Sequence, residues 1–197
     1  MPRQVDHDER RRAIAEAVFE VIGTQGFEAV SLRDVAEAAG VSMGRVQHYF
    51  SSKHDMLLFA LAHMRGRVLA RLDADLALLT DPTRRDRIRA ALRVLLPVDR
   101  PSRQEACVNI AFFSAATVTP PYADLLREGY ARLLDVSRAQ LRDAHDAGEL
   151  VGGIDVDDEA ATLFFAVQGL IGPVLIDLMT PDQALALLDR RLDRLFR

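Results

Sequence analysis

Residues 31–53, SLRDVAEAAGVSMGRVQHYFSSK, restrict the fold more than any other part of the chain. Ser31 followed by Asp34 three residues later is a capping box that starts a helix. Leu32, Val35, Ala36 and Ala39 recur at helical spacing and form its inner face. Gly40 ends that helix, because glycine takes the left-handed conformation a chain reversal needs. Ser42 then caps a second helix at once. Two short helices joined by a glycine-containing turn read as a helix-turn-helix. Val46 and Phe50, four apart, anchor the second helix inward and leave Met43, Arg45, Gln47 and His48 pointing away or sideways. A segment this small has no adequate core of its own, so it needs support from flanking elements.

The flanks supply that support. Ile14, Ala17, Val18, Val21 and Ile22 predict a first helix over Asp8–Ile22, stopped by Gly23 and Gly26, with Phe27 folding back as a core plug. Ser52 and Asp55 cap a fourth helix that continues to about Leu79, long enough to leave the small domain and enter the next. Five more helices start at Thr83, Ser102, Pro120, Asp155 and Thr180. No β-branched alternation predicts strands. The expected fold is therefore all-α, about nine helices. A three-helix helix-turn-helix domain occupies residues 1–55, and a larger helical bundle for ligand binding and dimerisation occupies residues 56–197.

Composition narrows the chemistry. The chain has 197 residues, 49% of them hydrophobic and 27% charged, which is a globular soluble composition. The single cysteine, Cys107, excludes an internal disulfide and a cysteine-cluster metal site. The charged N-terminus is not a secretory signal, and a reducing cytoplasm is the natural compartment. The five histidines show no metal-ligand spacing, and no glycine-rich phosphate loop or nucleophile elbow occurs. The reading is a protein that is not an enzyme and uses neither metal nor cofactor. Residues 160–179 approach the length of a membrane span, but Gln168, Pro173 and Asp177 interrupt them, so the expectation is a buried helix and no membrane.

The net charge of −4 means that any nucleic-acid footprint must come from placement of charges. Ser42 and Gly44 are small enough for close approach to a groove. Arg45 reaches guanine acceptors, Gln47 pairs with adenine, and His48 donates to base or phosphate. Tyr49 and Lys53, the only lysine in the chain, suit phosphate oxygens.

The run GFEAVSLRDVAEAAGVSMGRVQHYFSSKHDML resembles the DNA-binding region of the TetR family of transcriptional regulators. The resemblance extends without a gap from about residue 10 to 62. It rests on Ser31, Val35-Ala36, Ala39-Gly40-Val41-Ser42, Gly44, Tyr49-Phe50, Ser52-Lys53 and Leu57. It implies phosphate contacts at Ser31, Tyr49 and Lys53. It implies groove contacts at Arg33, Ser42, Met43, Arg45, Gln47 and His48. Gln47 stands where the family often has tyrosine, which puts base readout in place of a phosphate or packing contact there.

Two further patterns lie downstream. Leu185, Leu188, Leu192 and Leu195 form a stripe suited to packing on another helix, and the preceding helix is apolar nearly all round. Together they predict a four-helix interface between two copies, in line with the dimerisation that the resemblance implies. Aromatic residues mixed with isolated polar groups nominate a ligand pocket from Phe112, Phe113, Tyr122, Tyr130, Phe164 and Phe165, with His63, Asn109 and Gln168 orienting the ligand. Aromatics at this spacing also suit a plain core. The reading is a homodimeric regulator, a repressor released from a palindromic double-stranded DNA operator by a small hydrophobic effector. The rival is a helical binding dimer with a vestigial DNA module.

Overall fold

The computed structural model describes residues 2–197, with side chains from residue 7 onward. Among the described residues there are nine α-helices and no strand: α1 (Pro2–Gln25), α2 (Leu32–Ala38), α3 (Met43–Tyr49), α4 (Lys53–Ala77), α5 (Arg84–Arg93), α6 (Arg100–Ala116), α7 (Pro120–Asp146), α8 (Val156–Leu175) and α9 (Pro181–Leu195). The caps explain most of these boundaries. Ser31, Ser42, Thr83, Asp155 and Thr180 each accept a backbone N–H from the first turn, satisfying donors that a helix start leaves orphaned. Gly40 has φ +63, the left-handed value required after α2.

Three boundaries differ from the sequence reading. α1 extends well upstream of Asp8. α5 ends at Arg93, four residues before Pro97, with a hydrogen-bonded turn in between. α6 begins at Arg100, not Ser102, because Asp99 is the cap. The Asp99 carboxylate accepts the Ser102 N–H at 2.8 Å, and the Ser102 Oγ accepts the Asp99 N–H at 2.9 Å. Ser102 is thus the third-turn partner in a box whose cap is acidic.

The chain divides into two compact units. The first joins residues 1–66 with 107–126; the second joins 67–106 with 127–197. In the first unit, Ile14, Val18, Phe19, Ile22, Val35, Val46, Phe50, Leu57 and Leu61 form the core. Phe27 does fold back: its ring meets Phe112 at 5.1 Å and Tyr122 at 6.3 Å. Arg65 on α4 donates to the Leu125 carbonyl at 3.0 Å, a further tie to the α6–α7 corner.

The second unit centres on α5, α7, α8 and α9. Ile88, Leu92, Leu141, Leu163, Val167, Leu188, Leu192 and Leu195 make one cluster. This corrects the reading of the α9 leucines as an intersubunit seam. Leu188, Leu192 and Leu195 are almost fully buried within their own subunit. Charged straps run outside the cluster: Arg89 grips Asp189 through two hydrogen bonds, Arg85 pairs with Asp193, and Arg191 holds the buried Glu159. α8 is long and apolar enough to cross a membrane, yet it packs on α5 and α9. It continues through Pro173 for two residues, and Arg103 donates to the Val174 and Leu175 carbonyls at its end. Phe165, Ala166, Gly169 and Ile176 remain exposed along it.

Two measurements test this packing. Leu192→Ala should destabilise the protein by about 2–5 kcal/mol in denaturant unfolding, as a buried leucine does; a loss under half a kcal/mol would put the leucine outside the core. The second concerns pH. Hydrogen bonds from Ser102 hold the Asp99 carboxyl below its ordinary range, and the Arg89 hydrogen bond does the same for Asp189. Stabilisation from such groups is present above the unfolded value near pH 4 and is lost as pH falls through the native value. Replacing both by asparagine should lower stability at neutral pH and flatten its acid decline, read by urea unfolding across pH.

Candidate nucleic-acid interface

α3 has only seven residues and owes its position to two of its side chains. Val46 and Phe50 are fully buried, at 0% and 1% exposure. Phe50 packs against Phe59 of α4 with centroids 5.5 Å apart. The Arg11 guanidinium lies over both rings, at 4.8 and 4.2 Å, a cation–π arrangement linking α1 to the α3–α4 junction. With those anchors inward, Ser42, Met43, Gly44, Arg45, Gln47 and His48 are exposed. Arg33 on α2 is exposed as well, and Tyr49 and Lys53 are half-buried.

The polar members of this set are open to a partner. Among the described residues, Arg33, Arg45 and Lys53 have no ion-pair partner and Gln47 no hydrogen bond. Ser31 differs: its hydroxyl donates to the Asp34 carboxylate and accepts the Asp34 N–H, so the cap already engages it. A Cβ built on Gly44 meets nothing within 4 Å. Glycine weakens a helix by roughly 0.5–1 kcal/mol relative to alanine, and packing within the chain gives no reason for it here.

The ligand candidates fall in both units. In the first, Phe112 and Tyr122 meet edge-on at 5.4 Å and are buried, with the Tyr122 hydroxyl 3.1 Å from His54 Nδ1. Burial raises the Tyr122 pKa. His63 is hydrogen-bonded to Glu16 at 2.7 Å and stacked on Phe19. Asn109 is half-buried, and Phe113 is 56% exposed. In the second unit, Tyr130 packs edge-on against the buried Phe164 at 5.6 Å, and Gln168 is half-buried one turn further along α8. The second unit also has an open polar cleft of about 790 Å³ bordered by Asp81, Thr83, Arg84, Arg87, Gln140 and Phe196. None of the candidates borders it. Among the described residues, no group of three or more His, Cys, Asp or Glu is placed to hold a metal ion.

Several residues around α3 escaped the sequence reading. Phe59 packs on Phe50 from the next helix, while Arg11 and His7, whose ring lies 4.9 Å from that of Tyr49, reach Phe50 and Tyr49 across a long stretch of chain. No local spacing signals such contacts.

Comparison with known proteins agrees with this geometry. Residues 14–59 match bacterial regulatory proteins of the tetR family, and residues 84–197 match the C-terminal domain of BetI-type transcriptional repressors. The HTH-type transcriptional regulator PksA of Bacillus subtilis is 30% identical over 177 residues, 90% of this chain and 84% of that protein. A transcriptional regulator from Rhodococcus sp. Rha1 superposes with a TM-score of 0.81 at 31% identity, covering 93% of this chain and 94% of the other. A regulator from Saccharomonospora viridis, solved in complex with choline, superposes at 0.87 with 25% identity, covering 96% and 99%. The chain belongs to the TetR family of transcriptional regulators, with a DNA-binding N-terminal part and a C-terminal ligand-binding domain.

Proposed function

We propose that the protein is a cytoplasmic homodimeric repressor that binds a palindromic operator through α3 and leaves it when a small molecule occupies the C-terminal domain. Residues 1–55 are the reading head, and residues 56–197 bind the ligand and pair the subunits. One observation carries the DNA reading: a seven-residue helix with both apolar anchors buried presents Arg45, Gln47 and His48 to solvent, with no ion pair or hydrogen bond to their side chains among the described residues. Arg45 and Gln47 read bases, supported in the groove by Arg33, Ser42, Met43 and His48. Ser31, Tyr49 and Lys53 hold phosphates. The exposed α8 stripe of Phe165, Ala166, Gly169 and Ile176, joined by Leu187 of α9, supports pairing with a second copy. Two copies place two recognition helices on half-sites about one helical turn apart.

The effector is a hydrophobic compound, held either by His63, Asn109, Phe112, Phe113 and Tyr122 in the first unit or by Tyr130, Phe164 and Gln168 in the second. The choline-bound relative favours a second reading, a quaternary ammonium compound. Tyr130 and Phe164 would supply aromatic faces for the cation. Release follows from differential affinity: the effector prefers a dimer geometry whose recognition helices are wrongly spaced, and a tenfold loss of DNA affinity requires about 1.4 kcal/mol of preference. α4 carries the change because it runs through both units.

Selection of bound DNA from a random pool, followed by a screen for compounds that release it, tests the whole reading. A palindromic consensus with a negative salt slope supports it; uniform binding across sequences refutes it. On the selected site, Arg45→Ala should cost about 1–3 kcal/mol and relax preference at one base step; an unchanged profile removes Arg45 from base readout. Gly44→Ala should leave the fold intact, or raise stability by up to about 0.5–1 kcal/mol, while weakening operator binding. A variant that gains stability and binds as before would show that no DNA backbone approaches that position.

A further inference from the structure

Tyr49, the last residue of α3, touches two imidazoles. His7 of α1 tilts against its ring at 4.9 Å, and His48 meets it edge-on at 5.2 Å. Both histidines are exposed. Among the described residues, the polar group nearest His7 is the Asp8 carboxylate, at 4.0 Å. That is too far for a hydrogen bond and, with both side chains about half exposed, weak as an ion pair. No described residue hydrogen-bonds His48. Arg11, one turn along α1 from His7, is stacked over Phe50 and Phe59. α1 is thereby held against the end of α3, and His7 stands beside a residue read above as a phosphate contact.

We propose that His7 belongs to the DNA-binding surface and that His7 and His48 together make operator binding proton-linked, the His7 imidazolium meeting a phosphate oxygen beside Tyr49 and the His48 imidazolium reaching one from its place in the groove. This rests on the reading of α3 as the recognition helix. A DNA phosphate beside an imidazole favours its protonated form. The DNA-bound state then holds more protons than the free state. The extra affinity is fully present below the free value and is lost as pH rises through the bound value.

Charges of both signs surround the two rings. Beside His7, α1 carries Asp8, Glu9, Arg10, Arg11 and Arg12. α2 carries Arg33, Asp34 and Glu37, with Asp34 held by its own cap. Arg45 lies on α3 and Lys53 opens α4. Among the described residues, Asp8 is the one acid within 4.0 Å of either ring.

The test uses the full-length protein and DNA selected by it from a random pool, with affinity measured between pH 5.5 and 8 at several salt concentrations. The wild type should bind about tenfold or more tightly at pH 6 than at pH 8. Each imidazolium contact should steepen the slope of log affinity against log salt by about 0.9 at the lower pH. His7→Gln should remove about half of both effects, and the double variant with His48→Gln should remove nearly all of both. A flat wild-type profile overturns the proposal. So does a His7→Gln profile identical to wild type, or a double variant that keeps the pH dependence, since the proton is then taken elsewhere. The double variant Arg45→Ala, Gln47→Ala on the same DNA at pH 8 separates the two readings: a site preference unchanged at every base step sinks the recognition-helix assignment itself, whatever the histidines do.

Discussion

The burial of Phe50 is the contact on which the reading head depends. α3 is too short to persist through its own backbone hydrogen bonds, so its orientation must come from outside. Phe50 closes its C-terminal end, packs on Phe59 and lies under Arg11. Val46, one turn back, closes the inner face. Once those two positions are inside, the 100° step of the helix leaves Arg45, Gln47 and His48 outside. On the proposed reading, the capacity to read DNA is thus a by-product of where two apolar side chains go.

The second unit solves a different problem. α8 is apolar around most of its circumference, and one subunit covers only part of it. α9 contributes its leucines to the internal side, with the straps Arg89–Asp189 and Arg85–Asp193 tying it to α5 and Arg191–Glu159 tying it to α8. Surface ion pairs of this kind contribute little singly; the bidentate Arg89 pair adds geometric specificity that sets how α9 lies on α5. What remains for a partner copy is a stripe of Phe165, Ala166, Gly169 and Ile176, where small residues flank a large one.

Local signals were readable wherever the physics is local. The caps at Ser31, Ser42, Thr83 and Thr180 and the reversal at Gly40 involve residues within four positions of each other, so spacing alone locates them. The cap of α6 was misplaced because Asp99 and Ser102 bond reciprocally, and either type makes a good cap. The stripe of α9 leucines was located correctly, but not its partner. Period shows that a face is buried; it does not show whether the covering surface belongs to the same chain.

The order of the helices, the helix-turn-helix and the outward set on α3 followed from the sequence, because capping and 3.6-residue periodicity act over one or two turns. Tertiary structure alone decided that residues 107–126 join the DNA-binding unit, that His7 and Arg11 reach α3 and α4, and that α9 turns its leucines inward. Those outcomes depend on contacts between residues about forty or more positions apart, and no local pattern encodes which distant surface will supply the missing neighbour.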